Sequence, residues 1–379
     1  MKICDIVRNS VWHDPRVRKQ VFSYLSAPDC EVEVVGVEDS RFDPVKVAEY
    51  PCDVCLVQVD PKFYGKKRTF FMKLKRELIV NREMVRMLVE KAPDVIHAND
   101  LNALIPAYIA ARKLKCKVIY DSHEVFVENA GVVNHKVIRV VWMACEKYLI
   151  KRVDKMVCVS HAAADYFAKL YGIQKPMVVT NCSLKSERHS SEKKNCGFEV
   201  LNHGQYYGGR GYDIMIESIP YLRDYPEIKV AMRGFGSMEE VLRARAKELG
   251  DEKVCFYPRV LVQELIPMAS RSHVGVAITE PICLNFELSV SNKLFEYASA
   301  GLPVIMSDIP EHRYLNEKYQ FGIVIPDNKP ETFAKAAIKL YTDKAFYDRC
   351  AENACRMSEA VNWENEFGRL IACERALVD

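Results

Sequence analysis

Lys293 and Glu296 stand three residues apart in the stretch SVSNKLFEYASAG, residues 289 to 301. The stretch reads as a short helix that starts near Ser289, Ser291 or Asn292 and stops at Gly301, with Pro303 just beyond. The free N–H groups of a helix start attract anions. A lysine in the first turn opposes the helix dipole, so its presence points to a negative partner arriving from outside, and phosphate suits. Glu296 shares a face with Lys293 and can accept hydrogen bonds from hydroxyls. A sugar nucleotide offers a diphosphate and hydroxyls together. Taken alone, the pair also fits an ordinary exposed ion pair on an amphipathic helix.

Three other stretches could do chemistry. HGQYYGGRGYD, residues 203 to 213, contains the run YGGRG, which lets backbone approach a phosphate or forms a tight turn. Neither it nor GFG at 234 to 236 completes G-x-G-x-x-G with a following acid, which disfavours a dehydrogenase. WHDPRV, residues 12 to 17, sets Asp14 before Pro15 as a helix start after the first strand. VIYDSHEVF, residues 118 to 126, places His123 at the end of a predicted strand, with Asp121 and Glu124 beside it.

The elements that must carry these residues alternate along the chain. Short β-branched runs such as KICDIV, EVEVVGV and KVIYDSH are separated by helical patterns, as in parallel sheets with crossover helices. In such sheets ligands gather at the carboxyl ends of the strands. A polar stretch around residues 183 to 197 reads as a linker, after which a second series of strands begins at FEVLNHG. The length of 379 residues suits two α/β domains with a cleft between them.

NKLFEYASAGLPVIMSD resembles the donor-binding segment of the retaining family-4, or group 1, glycosyltransferases of the GT-B fold, and HGQYYGGRGYDIMIES resembles their diphosphate loop. MRGFGSMEEVLRARAKELG, DPRVRKQ and VIYDSHEVF resemble further family segments in the family's order. The resemblance implies two Rossmann-like domains: an acceptor-side domain over residues 1–185, a linker over 186–197, a nucleotide-sugar domain over 198–350, and a helix over 351–379 that crosses back. It implies that Gly204, Gln205, Arg210, Glu287, Leu288, Ser291, Asn292, Lys293 and Glu296 serve the donor. Arg210 falls on the diphosphate's basic partner and Glu296 on the ribose carboxylate. His123 falls on the family's catalytic histidine, and His13, Asp14 and Arg16 on the acceptor side. Gln205 stands where a second cation is common, and Lys293 replaces its charge. Leu288, beside Glu287, occupies the place of the family's other glutamate. The implied activity is transfer of a sugar, with retention and without a metal or other cofactor, from a nucleoside-diphosphate sugar to a hydroxyl of a glycan or lipid-linked acceptor in polysaccharide biosynthesis. The alternatives are a sugar-nucleotide epimerase and a non-catalytic subunit of a partner transferase.

Composition bounds the partners. A formal net charge of +3 gives no bulk argument for nucleic acid, and no apolar run is long enough for a signal peptide or membrane span, so a cytoplasmic protein is expected. The fourteen cysteines are scattered and read as reduced core residues. One local run departs from this balance. KFYGKKRTFFMKLKR, residues 62 to 76, carries seven basic residues, four aromatics and no acid. Lys62, Lys66, Lys67, Arg68, Phe70, Phe71 and Lys73 suit peripheral docking on an anionic membrane surface.

Overall fold

A computed structural model describes residues 1–8, 11–12, 14–38, 50–63, 69–191 and 193–379. The chain divides into two compact units: residues 1–179 with 367–379, and residues 180–366. The expected boundaries move accordingly. The tail crosses to the first unit at 367 rather than 351, because Asn362 ends one helix, Lys344–Ala360, and caps the next, Trp363–Val378, with its Oδ1 accepting from Asn365 N at 3.0 Å. The expected linker is fastened to the second unit: Lys194 Nζ donates to the carbonyls of Ser270 and Ser272 at 2.8 and 2.9 Å, and Asn195 N donates to Arg271 O at 2.8 Å.

In the first unit the strands are β1 (Lys2–Ile6), β2 (Glu31–Val37), β3 (Val54–Val57), β4 (Val95–Asn99), β5 (Lys117–Ser122), β6 (Lys155–Cys158) and β7 (Met177–Val178). They pair in parallel in the order β3-β2-β1-β4-β5-β6-β7. The order reverses between β1 and β4, so the loops after these two strands diverge and leave a crevice at their carboxyl ends. β1 and β4 are almost wholly buried, so neither alternates between a covered and an exposed face, and the polar residues they carry, Asp5, His97 and Asn99, are buried with them.

The second unit repeats the design with β8 (Phe198–Gln205), β9 (Ile228–Phe235), β10 (Val254–Tyr257), β11 (Val274–Ala277), β12 (Val304–Ser307) and β13 (Gly322–Ile325). Their order is β10-β9-β8-β11-β12-β13, again all parallel, with the reversal between β8 and β11. Helix Asn292–Ser299 lies against β11 because Gly275 has no side chain: a Cβ there would lie 2.2 Å from the Tyr297 ring. That one absence sets how closely Lys293 and Glu296 approach the strand ends. All fourteen cysteines are free, but only Cys4, Cys158, Cys182 and Cys350 are buried. The rest sit at half-buried or exposed positions, so most are not core residues. Among the described residues no helix is long and apolar enough to cross a membrane.

Candidate functional site

At the reversal point of the second unit, the loop after β8 and the start of helix Asn292–Ser299 enclose a cavity of about 320 Å³ lined by His203, Gly204, Arg210, Ser291, Asn292, Lys293 and Glu296 among others. Ser291, at the N-cap, makes no side-chain capping bond, which leaves the first N–H groups of the helix to the cavity. Gly204 has φ +124°, a backbone state that a side chain strains, and a Cβ there would press toward Lys293 at 3.4 Å.

Each charged side chain is held by a polar partner from β8 or from the loop after it. Lys293 Nζ donates to Asn202 Oδ1 at 2.6 Å and lies 5.1 Å from the centre of the Tyr212 ring. Asn202 in turn donates to the carbonyl of Arg210 at 2.9 Å, which ties the lysine to the glycine-rich loop. Burial, and then the nearby Arg210 guanidinium, pull the Lys293 ammonium down to about 7. Arg210 is oriented by Tyr207, whose hydroxyl accepts from Nε at 3.0 Å, and its guanidinium lies over the Phe286 ring at 4.4 Å. Glu296 Oε2 pairs with His203 Nε2 at 2.6 Å. His203 is 1% exposed and Glu296 25%, so the histidine anchors the carboxylate from below and leaves it facing the cavity. The Tyr297 ring lies 4.5 Å from the His203 ring, tilted by 32°, and its hydroxyl accepts from His203 N at 3.0 Å.

Arg210, Ser291, Asn292, Lys293, Glu296 and Gly204 are therefore brought together. Gln205, Glu287 and Leu288 do not line the cavity: Gln205 ends β8 in an exposed position, while Glu287 and Leu288 lie in the short helix Leu284–Leu288. Ser289 and Val290 line the wall instead. Asn202, His203 and Tyr297 were missed. The signal available for the first two was a pair of adjacent polar residues, Asn202 and His203, directly after the apolar Val200 and Leu201 and before Gly204 in the strand FEVLNHGQ.

The first unit gathers a second polar cluster at its own reversal point. His123 Nε2 bonds Asn99 Oδ1 at 2.9 Å, and its Nδ1 lies 3.9 Å from Asp14 and 3.8 Å from Asp100. Asp14 caps helix Pro15–Ser26, accepting from Arg16 N and Val17 N at 2.9 and 3.1 Å. Burial lifts Asp5 to about 7 and Asp100 to about 6. Arg16 is not placed to meet a ligand. Its guanidinium is buried, clamping Asp121 with Nε and NH2 at 2.9 Å each and donating NH1 to Val179 O at 2.8 Å. Asp121 also accepts from Gln20 and pairs with buried His97, which bonds Glu374 of the C-terminal segment at 2.9 Å. His13 lies outside the described residues.

In the basic aromatic run, Lys62 pairs with Asp60 at 2.5 Å, Phe71 is 78% exposed and Lys73 is exposed. Lys66, Lys67 and Arg68 lie outside the described residues, as does the side chain of Phe70. Among the described residues no cluster of His, Cys, Asp and Glu has the arrangement of a metal site.

Two family models match the sequence, one described as Glycosyltransferase Family 4 over residues 18–187 and one as Glycosyl transferases group 1 over residues 197–343. No curated protein matches it. Solved structures share the fold. Sucrose-phosphate synthase from Thermosynechococcus elongatus superposes with a TM-score of 0.79 at 16% identity, covering 100% of this chain and 99% of that one. HepE of Anabaena, in complex with UDP, gives 0.78 at 14% identity, covering 99% and 100%. The lipopolysaccharide outer core galactosyltransferase WaaB in its apo form gives 0.68 at 16% identity, covering 99% and 100%.

Proposed function

We propose, for a chain that belongs to the group 1 glycosyltransferases of the GT-B fold, that the cavity of the second unit holds the diphosphate and ribose of a nucleoside-diphosphate sugar. The observation that carries this reading is the pairing of two cations in one cavity. Burial and Arg210 already cost Lys293 much of its proton affinity, so an anion entering between them relieves a repulsion built into the site. Arg210 and Lys293 take the diphosphate, the first turn of helix Asn292–Ser299 adds backbone N–H groups, and Glu296, braced by His203, takes the ribose hydroxyls.

These contacts suit transfer as well as binding. Negative charge grows on the leaving diphosphate as the glycosidic bond stretches, and the two cations stabilise it without a metal. The sugar passes to a hydroxyl of a glycan or lipid-linked acceptor with retention, the diphosphate accepting the hydroxyl's proton on the same face and His123 serving the transferred sugar. The enzyme works in the cytoplasm, docked on anionic lipid through Lys62 to Arg76. HepE was solved with UDP, which makes UDP and UDP-glucose the first probes. A thermal-shift series of nucleoside diphosphates and their sugars tests the reading, because a ligand of the native state raises the melting temperature by mass action. No shift with any nucleotide overturns it.

A further inference from the structure

Helix Lys136–Leu149 of the first unit is apolar on both sides. Its inner side is accounted for by folding. Leu149 and the following Ile150 are buried, and Glu146 is buried under two tyrosine hydroxyls, from Tyr120 at 2.7 Å and Tyr171 at 2.5 Å. Its outer side is not accounted for. Val137 is 79% exposed and Val141 62%, and Ile138, Val140 and Tyr148 are exposed with them. Positions 137, 141 and 148, joined by exposed Ala144, recur at helical spacing and form one stripe. An exposed stripe of this kind marks an interaction surface rather than a folding requirement.

The charges beside the stripe identify what covers it. Glu146 is the single acid between residues 129 and 152, and it is buried. The exposed charges there are Lys136, Lys147, Lys151 and Arg152, all positive. A second copy docking on this stripe through a twofold axis would set these cations against their own duplicates. An anionic lipid surface offers hydrocarbon to the valines and phosphates to the lysines at the same depth, with Tyr148 at the headgroup level. The same layer carries a second exposed stripe. Helices Phe70–Lys91 and Lys136–Leu149 both pack on Leu101–Leu114, and right-handed crossovers put all three on one face of the sheet. Phe71, Leu74 and Leu78 are exposed on the first of them, next to Lys73 and Lys75.

We infer that the outer face of helix Lys136–Leu149 is a docking surface for anionic lipid, with Val137 and Val141 entering the acyl boundary and Lys136 and Lys147 meeting the headgroups. The inference deepens the proposed reading of an enzyme acting at a lipid surface, and rests on it for the purpose of the docking. It moves the anchor from the basic run at 62 to 76, taken alone, to a layer of helices.

Co-sedimentation of the full chain with vesicles of phosphatidylcholine, or of phosphatidylcholine mixed with phosphatidylglycerol, tests it. Wild type is expected to bind the mixed vesicles. Val137→Glu combined with Val141→Glu is expected to lower the bound fraction by about tenfold or more, because two exposed apolar side chains that would enter the acyl boundary become charges repelled by anionic lipid. Trp142, half-buried beside the stripe and edge-on to Phe126 at 5.1 Å, is expected to shift its emission on mixed vesicles in wild type and not in the double variant. The UDP-induced thermal shift, read in parallel, reports the second unit, and an unchanged far-ultraviolet circular dichroism spectrum of the double variant shows that the first is still folded; absence of any shift in wild type sinks the nucleotide-sugar reading without touching the vesicle result. The inference is overturned if the double variant binds mixed vesicles as wild type does, if wild type binds pure phosphatidylcholine equally well, or if wild type is a dimer that the double variant dissociates.

Discussion

Asn99 Oδ1 accepts from Nε2 of His123 at 2.9 Å, while the same amide donates through Nδ2 to Asp5 Oδ1 at 2.5 Å and to Ile6 O at 3.2 Å. With the amide hydrogens committed to two acceptors, its oxygen faces the histidine, and Nε2 must carry the ring proton. Nδ1 then points toward Asp14 and Asp100. Asp5 and Asn99 thus choose the tautomer of the histidine at the β5 end.

His123→Ala is expected to lower turnover by about 10²-fold or more while leaving nucleoside-diphosphate affinity intact, the pattern of a group that acts on the transition state. Asn99→Leu is expected to lower turnover with His123 in place, with nitrogen-detected NMR of the ring showing a mixture of tautomers. Wild-type turnover in His123→Ala would remove the residue from the mechanism.

Removing Arg210 is expected to weaken binding of a nucleoside diphosphate by about 1.5–3 kcal/mol, the range for hydrogen bonds to charged groups. Calorimetry of Arg210→Ala reads it directly. Glu296→Ala is expected to lose the preference for a ribose-containing over a ribose-lacking diphosphate while keeping the fold; an unchanged preference would place the ribose elsewhere.

Lys293 makes the site pH-dependent. Its ammonium is held near 7, against 10.5 for an ordinary lysine. A diphosphate binds the protonated form, so affinity is expected to level off below about pH 7 and to fall above it by at most about tenfold per pH unit. Calorimetry at pH 8 in buffers of different ionisation enthalpy should show proton uptake on binding, lost in Lys293→Met. For folding the sign is opposite to that of a stabilising ion pair: between about 7 and 10.5 the unfolded chain holds the proton and the native one does not, so this group's contribution to stability rises with pH across that window.

Arg16, Asp121, His97 and Glu374 form a buried network of two cations and two carboxylates in the first unit. Burial alone would lower the His97 imidazolium, but its bonds to Asp121 and Glu374 outweigh that and lift it to about 10. Its contribution is complete below about pH 6.5 and is lost as pH rises through about 10. Glu374→Ala leaves a buried charge uncompensated, and urea unfolding should show a loss of about 3–5 kcal/mol at neutral pH.

The basic run from Lys62 to Arg76 is expected to contribute a salt-sensitive part of vesicle binding. Charge reversal of Lys66, Lys67 and Arg68 should lower co-sedimentation with anionic vesicles most at low ionic strength. Equal binding to neutral and anionic vesicles would refute it.

Local sequence determined a good deal of this protein. Alternation of β-branched runs with helical spacing specified two parallel sheets, because each run is short, apolar and stopped by turn residues. Asp14 with Pro15 marked a helix start, and Ser291, Lys293 and Glu296 marked one helix face, which the structure turns to a single cavity, because capping and i, i+3 geometry act within a few residues. What local sequence could not decide are relationships made across the chain. The resemblance put Arg16 on the acceptor side, but β5 brings Asp121 to it from 105 positions away and the pair is buried. His203 reads as a strand residue until Gly275 lets helix Asn292–Ser299 close down and set Glu296 on its ring. Glu287 and Leu288 read as wall residues, but the short helix that carries them yields the wall to Ser289 and Val290. The stripe on helix Lys136–Leu149 follows the same rule. Its periodicity was present in the sequence, but which of its apolar sides the sheet covers is decided only when Glu146 finds Tyr120 and Tyr171 in the interior.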